Sequence, residues 1–236
     1  MGIKQKLGSA AAAQVPAVAP RLTSNFVRQA LARAVDGVGP LKPASVTAQQ
    51  VLDEHDGDVE AAVKAVIEKH VRLAGAQGFL TNIGGLVTVA VTIPANITGL
   101  AVIQCRMIAT LAHLRGYDLA DPRVRNAILA CLMGPAEVDR MLKKKRLPAP
   151  PMALATAPHH DPELDLKISN EVATDLISRV VGKRLAVTIG RRVPVVGGAV
   201  GLTADGMSTW KIGRYAAKEL RPRPGGSATG GSAQKA

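Results

Sequence analysis

The stretch Leu73–Cys105, LAGAQGFLTNIGGLVTVAVTIPANITGLAVIQC, runs for 33 residues without one charged side chain. Small and β-branched aliphatic residues fill it, Gly84 and Gly85 interrupt it, and Pro94 lies near its middle. Proline fixes φ and has no N–H to donate, so the pattern predicts a helix pair broken at Pro94 rather than one continuous rod. Over Gly85–Ile103 the mean hydropathy is about 1.9, high enough to mark a candidate membrane span. Polar residues oppose a full crossing: Thr81, Asn82, Thr88, Thr92, Asn96 and Thr98 would each want a partner in lipid. Basic residues flank both sides, Lys69 and Arg72 before and Arg106 and Arg115 after, and no Trp/Tyr belt accompanies them. Three readings follow: a buried helix pair in a bundle, a hairpin that dips into a membrane interface and returns, or a true span.

The segments around this centre read as helices. Thr23 or Ser24 caps a first one, with Phe26, Leu31 and Val35 at helical spacing and Gly37 as its stop. A second runs over Val46–Glu54 and ends at His55-Asp56-Gly57. Asp58 is placed to cap the third, with Glu60 in its first turn, where the helix dipole favours an acid. After the centre, Met107, Ile108, Leu111 and Leu114 continue a helical stripe to Gly116. Asp121-Pro122 starts another helix as cap and first-turn proline, and Gly134 ends it. Pro135 opens a short helix that finishes in Lys143-Lys144-Lys145-Arg146.

Five prolines fall within 147–162, and no long helix passes through such a segment. Beyond this linker, Leu164, Ile168, Val172, Leu176, Val180, Leu185 and Ile189 mark one amphipathic helix. Its acids come first and its bases, Arg179, Lys183, Arg184, Arg191 and Arg192, come last, as the dipole prefers. A final helix carries Trp210, Ile212, Tyr215 and Ala216. Gly197 and Gly201 form a small-x-x-x-small face, expected to pack closely on Gly84 and Gly85. Residues 1–20 read as a flexible leader and 221–236 as a disordered tail. The leader's Ala-rich stretch, with Gln14 and Pro16 in it, makes a poor signal-peptide core. The organisation is therefore a leader, a helical domain over 21–220 interrupted by the linker, and a tail.

Hydrophobic residues make up 47% of the chain and aromatics only 2%, so the core must be aliphatic, which suits helices packed on helices. The fold class is all-α: a helical bundle with a long uncharged, Gly/Pro-interrupted central helix pair. The two cysteines, Cys105 and Cys131, stand in apolar helical pattern, the usual setting of free buried thiols. Net charge is +12 and unevenly placed: 11 basic and 8 acidic residues lie up to Asp118, and 19 and 10 after it. Such an excess points to an anionic partner.

Chemistry is hard to find. His159-His160-Asp161 is the one cluster of potential metal ligands, and it lies in the proline-rich linker without the four-fold set zinc needs. Gly197-Gly198 and Gly201 lack the order of a nucleotide-binding loop and have no Walker lysine. No serine or cysteine nucleophile stands in a recognisable setting. No catalytic residue, cofactor or metal is assigned.

Several phrases occur together in a characteristic order. They are Gly78-Phe79-Leu80-Thr81 with Gly84-Gly85, Ile93-Pro94-Ala95-Asn96, and Leu114-Arg115-Gly116-Tyr117-Asp118. Val193-Pro194-Val195-Val196-Gly197-Gly198 and Ile212-Gly213-Arg214-Tyr215-Ala216 complete the set. In this order, over roughly Ser45 to Leu220, the chain resembles the EcsC protein family of bacteria. The resemblance implies an α-helical protein associated by name with an ABC-transporter operon. It implies no defined activity and brings no catalytic residues. The chain departs from it in its leader, its long linker and its tail.

The reading is a non-enzymatic protein on the cytoplasmic face of a membrane, attached peripherally or accessory to a membrane protein such as a transporter. Its candidate contacts with an anionic surface are Lys143, Lys144, Lys145, Arg146, Arg179, Lys183, Arg184, Arg191 and Arg192. The alternatives are a soluble basic protein that binds nucleic acid or an acidic partner, and an enzyme whose pocket is assembled from dispersed residues.

Overall fold

Capping signals in the sequence set the helix boundaries. The computed structural model describes the backbone of residues 24–83, 89–190 and 197–223, and the side chains of 24–76, 99–179 and 204–223. Its helices are α1 (Ser24–Asp36), α2 (Ala44–Asp53), α3 (Val59–Ile83), α4 (Val89–Leu114) and α5 (Pro122–Met133). They continue with α6 (Pro135–Lys143), α7 (Pro151–Ala155), α8 (Pro162–Gly190) and α9 (Gly197–Glu219). The fold is all-α, with no strand among the described residues.

Local chemistry explains the starts and stops. Asp58 Oδ1 accepts from the backbone N–H of Glu60 and Ala61 at the head of α3, and Asp121 Oδ1 does the same for Arg123 at the head of α5. Gly37 ends α1 with φ +79°, and the chain folds back through paired Val38 and Leu41 backbone bonds. A side chain at 37 would put its Cβ 2.2 Å from the Leu41 carbonyl oxygen, so only glycine fits.

The helices share one core. It takes Leu31 and Val35 from α1, Val51 from α2, Val66 and Ile67 from α3, and Ile128 and Leu132 from α5. Val138 of α6, Leu154 of α7, Ile168 and Val172 of α8, and Ile212 of α9 complete it. The second half of α4 runs through the middle, touching α1, α2, α3, α5, α8 and α9. Cys105, Met107, Ile108, Leu111 and Ala112 of α4 are all buried, as a helix enclosed on every side requires. Cys105 and Cys131 are free and buried there.

Two expectations need correcting. Pro94 does not break the central helix: α4 starts at Val89 and runs through it. At the sixth helical position the proline removes one bond, to the carbonyl of residue 90, and the next turns continue. The proline-rich linker also contains a one-turn helix, α7, and its Leu147, Pro151, Leu154 and Ala155 are buried against the rest. The leader, residues 1–20, lies outside the described residues.

Directions follow from contacts. Val71 of α3 meets Gly206 of α9, and Ile67 meets Gly213, so α9 runs antiparallel to α3. Gln104 of α4 donates to Thr209 Oγ1 (3.0 Å), and Met107 lies against Gly213, so α9 runs parallel to α4. The C-terminal end of α3 and the N-terminal ends of α4 and α9 therefore share one end of the bundle. Six residues join α8 to α9, so α8 ends within about 25 Å of that place.

Candidate functional site

The basic residues singled out from the sequence divide sharply in three dimensions. Lys143 pairs with Asp139 one helical turn back (2.7 Å), and Arg146 pairs with Glu171 of α8 (2.7 Å). Arg179 lies 2.7 Å from Asp175 and donates to the carbonyls of Leu132 and Met133. Those carbonyls end α5, where the helix dipole and the unsatisfied oxygens both attract a cation. The Arg179 guanidinium thus closes the α5–α8 contact. Lys144 and Lys145 are exposed and have no ion-pair partner among the described residues. The side chains of Lys183 and Arg184, and residues 191 and 192 entirely, lie outside the described residues. Arg146 is anchored at Glu171, about 28 Å along α8 from Gly190.

Of the glycines, 84 and 85 lie outside the described residues, and Gly197 and Gly201 stand in the first turns of α9. Among the described residues α9 approaches its neighbours closely at Gly213, while Gly206 meets Val71 at ordinary contact distance. A Cβ on Gly213 would meet Ile67 Cγ1, Ile67 Cγ2 and Met107 Sδ, each at 3.1 Å.

The basic flanks of the uncharged centre also have specific uses. Arg106 is buried and bonds the Ala34 carbonyl at the end of α1 and Thr47 Oγ1 of α2 (2.6 Å). Arg115, equally buried, pairs with Glu60 (2.9 Å). Only Lys69 and Arg72 remain exposed.

An open cleft of about 560 Å³ is lined by Asp118, Asp121, Arg123, His159 and His160, with Ala120 and prolines. Its Asp121, Arg123 and His160 side chains are occupied. Arg123 forks onto Asp121 (2.6–3.0 Å) and reaches the Ala157 carbonyl. The Asp121 carboxyl is held below the usual range, mainly by that hydrogen bond. His160 Nε2 lies 2.9 Å from Asp165, which also accepts from Asn126. Among the described residues no group of three or more His, Cys, Asp or Glu is placed to hold a metal ion. Burial pushes the Cys105 thiol up to about 12, so it has no nucleophilic thiolate to offer near neutrality.

The turn Leu114–Asp118 is a clasp. Gly116 takes φ +80°. Tyr117 donates its hydroxyl to the Arg221 carbonyl (3.0 Å), and Arg223 N–H donates to the Arg115 carbonyl (3.0 Å). The Arg223 guanidinium lies over the Tyr117 ring, 5.6 Å from its centroid. The first residues of the expected tail, 221–223, are therefore tied down; 224–236 lie outside the described residues.

These described motif residues, Leu114–Asp118 and Ile212–Ala216, build turns and helix contacts. The EcsC protein family model matches residues 3–224. The chain belongs to the EcsC family. The match takes in both the leader and the proline-rich linker. Neither the curated proteins nor the solved structures contain a significant match to this EcsC chain.

One geometric feature remains. Arg72 is the last charged residue of α3 before the uncharged stretch, and its neighbour Val71 touches Gly206. Asp205, beside Gly206, is the first charged residue of α9, and residues 193–204 carry none. On α4 the first charge is Arg106, two residues after the Gln104 that bonds Thr209. Three helices thus change from charged to uncharged sequence within about 10 Å of one another along the bundle. Among the described residues no helix is long and apolar enough to cross a membrane. Most of 85–103 lies outside the described side chains.

Proposed function

We propose that this EcsC-family chain is a non-enzymatic protein that attaches to the cytoplasmic surface of a membrane, with the uncharged end of α3, α4 and α9 directed toward the lipid. The observation that carries this is that the three helices lose their charges within about 10 Å of one another along the bundle. A bundle placed wholly in water has no need to align such boundaries, whereas an interface between water and lipid imposes one. The net charge of +12 supports an anionic surface as the partner. Lys183 and Arg184 stand in the last turns of α8, whose end is joined to α9 by six residues, and Arg191 and Arg192 follow in the sequence.

Cell fractionation tests this. The tagged chain should sediment with membranes. Release by high salt assigns the attachment to charge, and retention through both salt and alkaline carbonate assigns it to the apolar end. Recovery wholly in the soluble fraction would refute the proposal and leave the uncharged residues as interior packing.

A further inference from the structure

The outer side of α9 places an aromatic residue beside a row of cations. Met207 and Trp210 are the large apolar residues exposed there, at 54% and 47%. Lys211, Arg214 and Lys218 are exposed as well. At 100° per residue these five positions fall within an arc of about 100° on the helix. The opposite side of α9 is buried through Thr209, Ile212 and Ala216. Arg214 stands with its Cζ 6.0 Å from the Trp210 ring centroid, so indole and guanidinium are presented together. No acid interrupts the arc: Asp205 is buried on the inner side, and Glu219 falls on the flank. On the adjoining exposed side of α3 stand Lys64, Glu68, Lys69 and Arg72, again with a basic excess.

We infer that this face of α9 is the contact site for the headgroups of anionic phospholipids, an inference that rests on the membrane attachment proposed above. The order along the helix matches the depth profile of an interface. Uncharged residues 193–204 come first, then Met207 and Trp210, then Lys211, Arg214 and Lys218. Tryptophan favours the headgroup level because its ring is apolar and its N–H wants a polar partner. Lysine and arginine just outside it meet lipid phosphates. Lys211, Arg214 and Lys218 have no ion-pair partner among the described residues, in contrast to Lys143, Arg146 and Arg179.

Flotation of the full chain with vesicles tests this, using phosphatidylcholine alone and an equimolar mixture with phosphatidylglycerol. Trp210 is the only tryptophan of the chain, so its fluorescence reports this face alone. The wild type should float with the anionic vesicles, and its emission should shift to the blue. The K211Q/R214Q/K218Q variant should bind them about a hundredfold more weakly, at about a fivefold loss per charge, while keeping its far-ultraviolet circular dichroism and Tm. If the wild type floats but the variant floats equally well, or the Trp210 emission does not move, the α9 face is overturned and membrane attachment stands. Equal binding to neutral vesicles would overturn the recognition of anionic headgroups. Failure to float with either vesicle would overturn both readings. Retention of a single-stranded RNA by the wild type, lost in the variant and without vesicle binding, would assign the face to nucleic acid instead.

Discussion

Gly206 and Gly213 lie on the same side of α9 but meet different neighbours, and their substitutions should have opposite signs. A Cβ at 206 would sit 3.6 Å from the Val71 carbonyl oxygen and 3.7 Å from its Cγ1, ordinary contact distances. Gly206→Ala should therefore raise stability by about 0.5–1 kcal/mol through helix propensity. Gly213→Val should lower it by roughly 1–3 kcal/mol, because Ile67 and Met107 already crowd the position. Urea denaturation of the two variants checks the pair. His70 gives a pH prediction. It is buried, its Nδ1 lies 2.8 Å from the Val66 carbonyl, and burial lowers its pKa from 6.5 to about 4. The unfolded chain takes up this proton first as pH falls. The stability linked to His70 is thus fully present above pH 6.5 and is lost down to about pH 4, by roughly 3 kcal/mol at most. In chemical denaturation at a series of pH values, His70→Leu should lose stability less steeply than wild type over this range. Parallel curves would refute the assignment. Neither site was visible as special in the sequence. His70 stood alone in a helical pattern, and the Gly206–Gly213 spacing says nothing until Ile67 and Met107 are placed opposite.

At the scale of elements, boundaries were the most legible feature, because caps act within one turn of chain. Asp58, Asp121, Gly37 and Gly134 each start or stop a helix where their chemistry predicts. Pro94 misled for a related reason. Its cost depends on its distance from the helix start, and Thr81, Thr88 and Thr92 before it each offer a cap residue, so the sequence does not single out Val89 as that start. The α7 turn was hidden for another: five prolines forbid a long helix but not a single turn begun by Pro151. The clasp at Tyr117 joins the end of α4 to residues 104 positions away, so no local pattern could announce it. Tyr117→Phe removes the hydroxyl that holds the Arg221 carbonyl. It should cost about 1 kcal/mol and speed amide exchange at the C-terminal end of α9. Unchanged exchange there would show that the Arg223 backbone bond holds the segment by itself.

For the molecule as a whole, the core joins residues on both sides of the proline-rich linker: Leu111 and Ile128 before it, Ile168 and Ile212 after. Thermal unfolding should therefore be one cooperative transition, with the same midpoint by circular dichroism and Trp210 fluorescence. Two separated midpoints would mean that the halves fold independently. What the sequence by itself determined was the class and the punctuation. Helical periodicity, caps and scarce aromatics specify helices on an aliphatic core, since those signals act over a few residues. The run from 73 to 105 declared its lack of charge, and the order of the Gly- and Pro-containing phrases carried the EcsC resemblance. Tertiary structure alone decided which charges are spent and which are offered. Arg179 and Arg106 close helix ends, whereas Lys211, Arg214 and Lys218 face outward beside Trp210. The reason is physical: a side chain's partners are set by what packs opposite it, and the distance along the chain does not say what that will be.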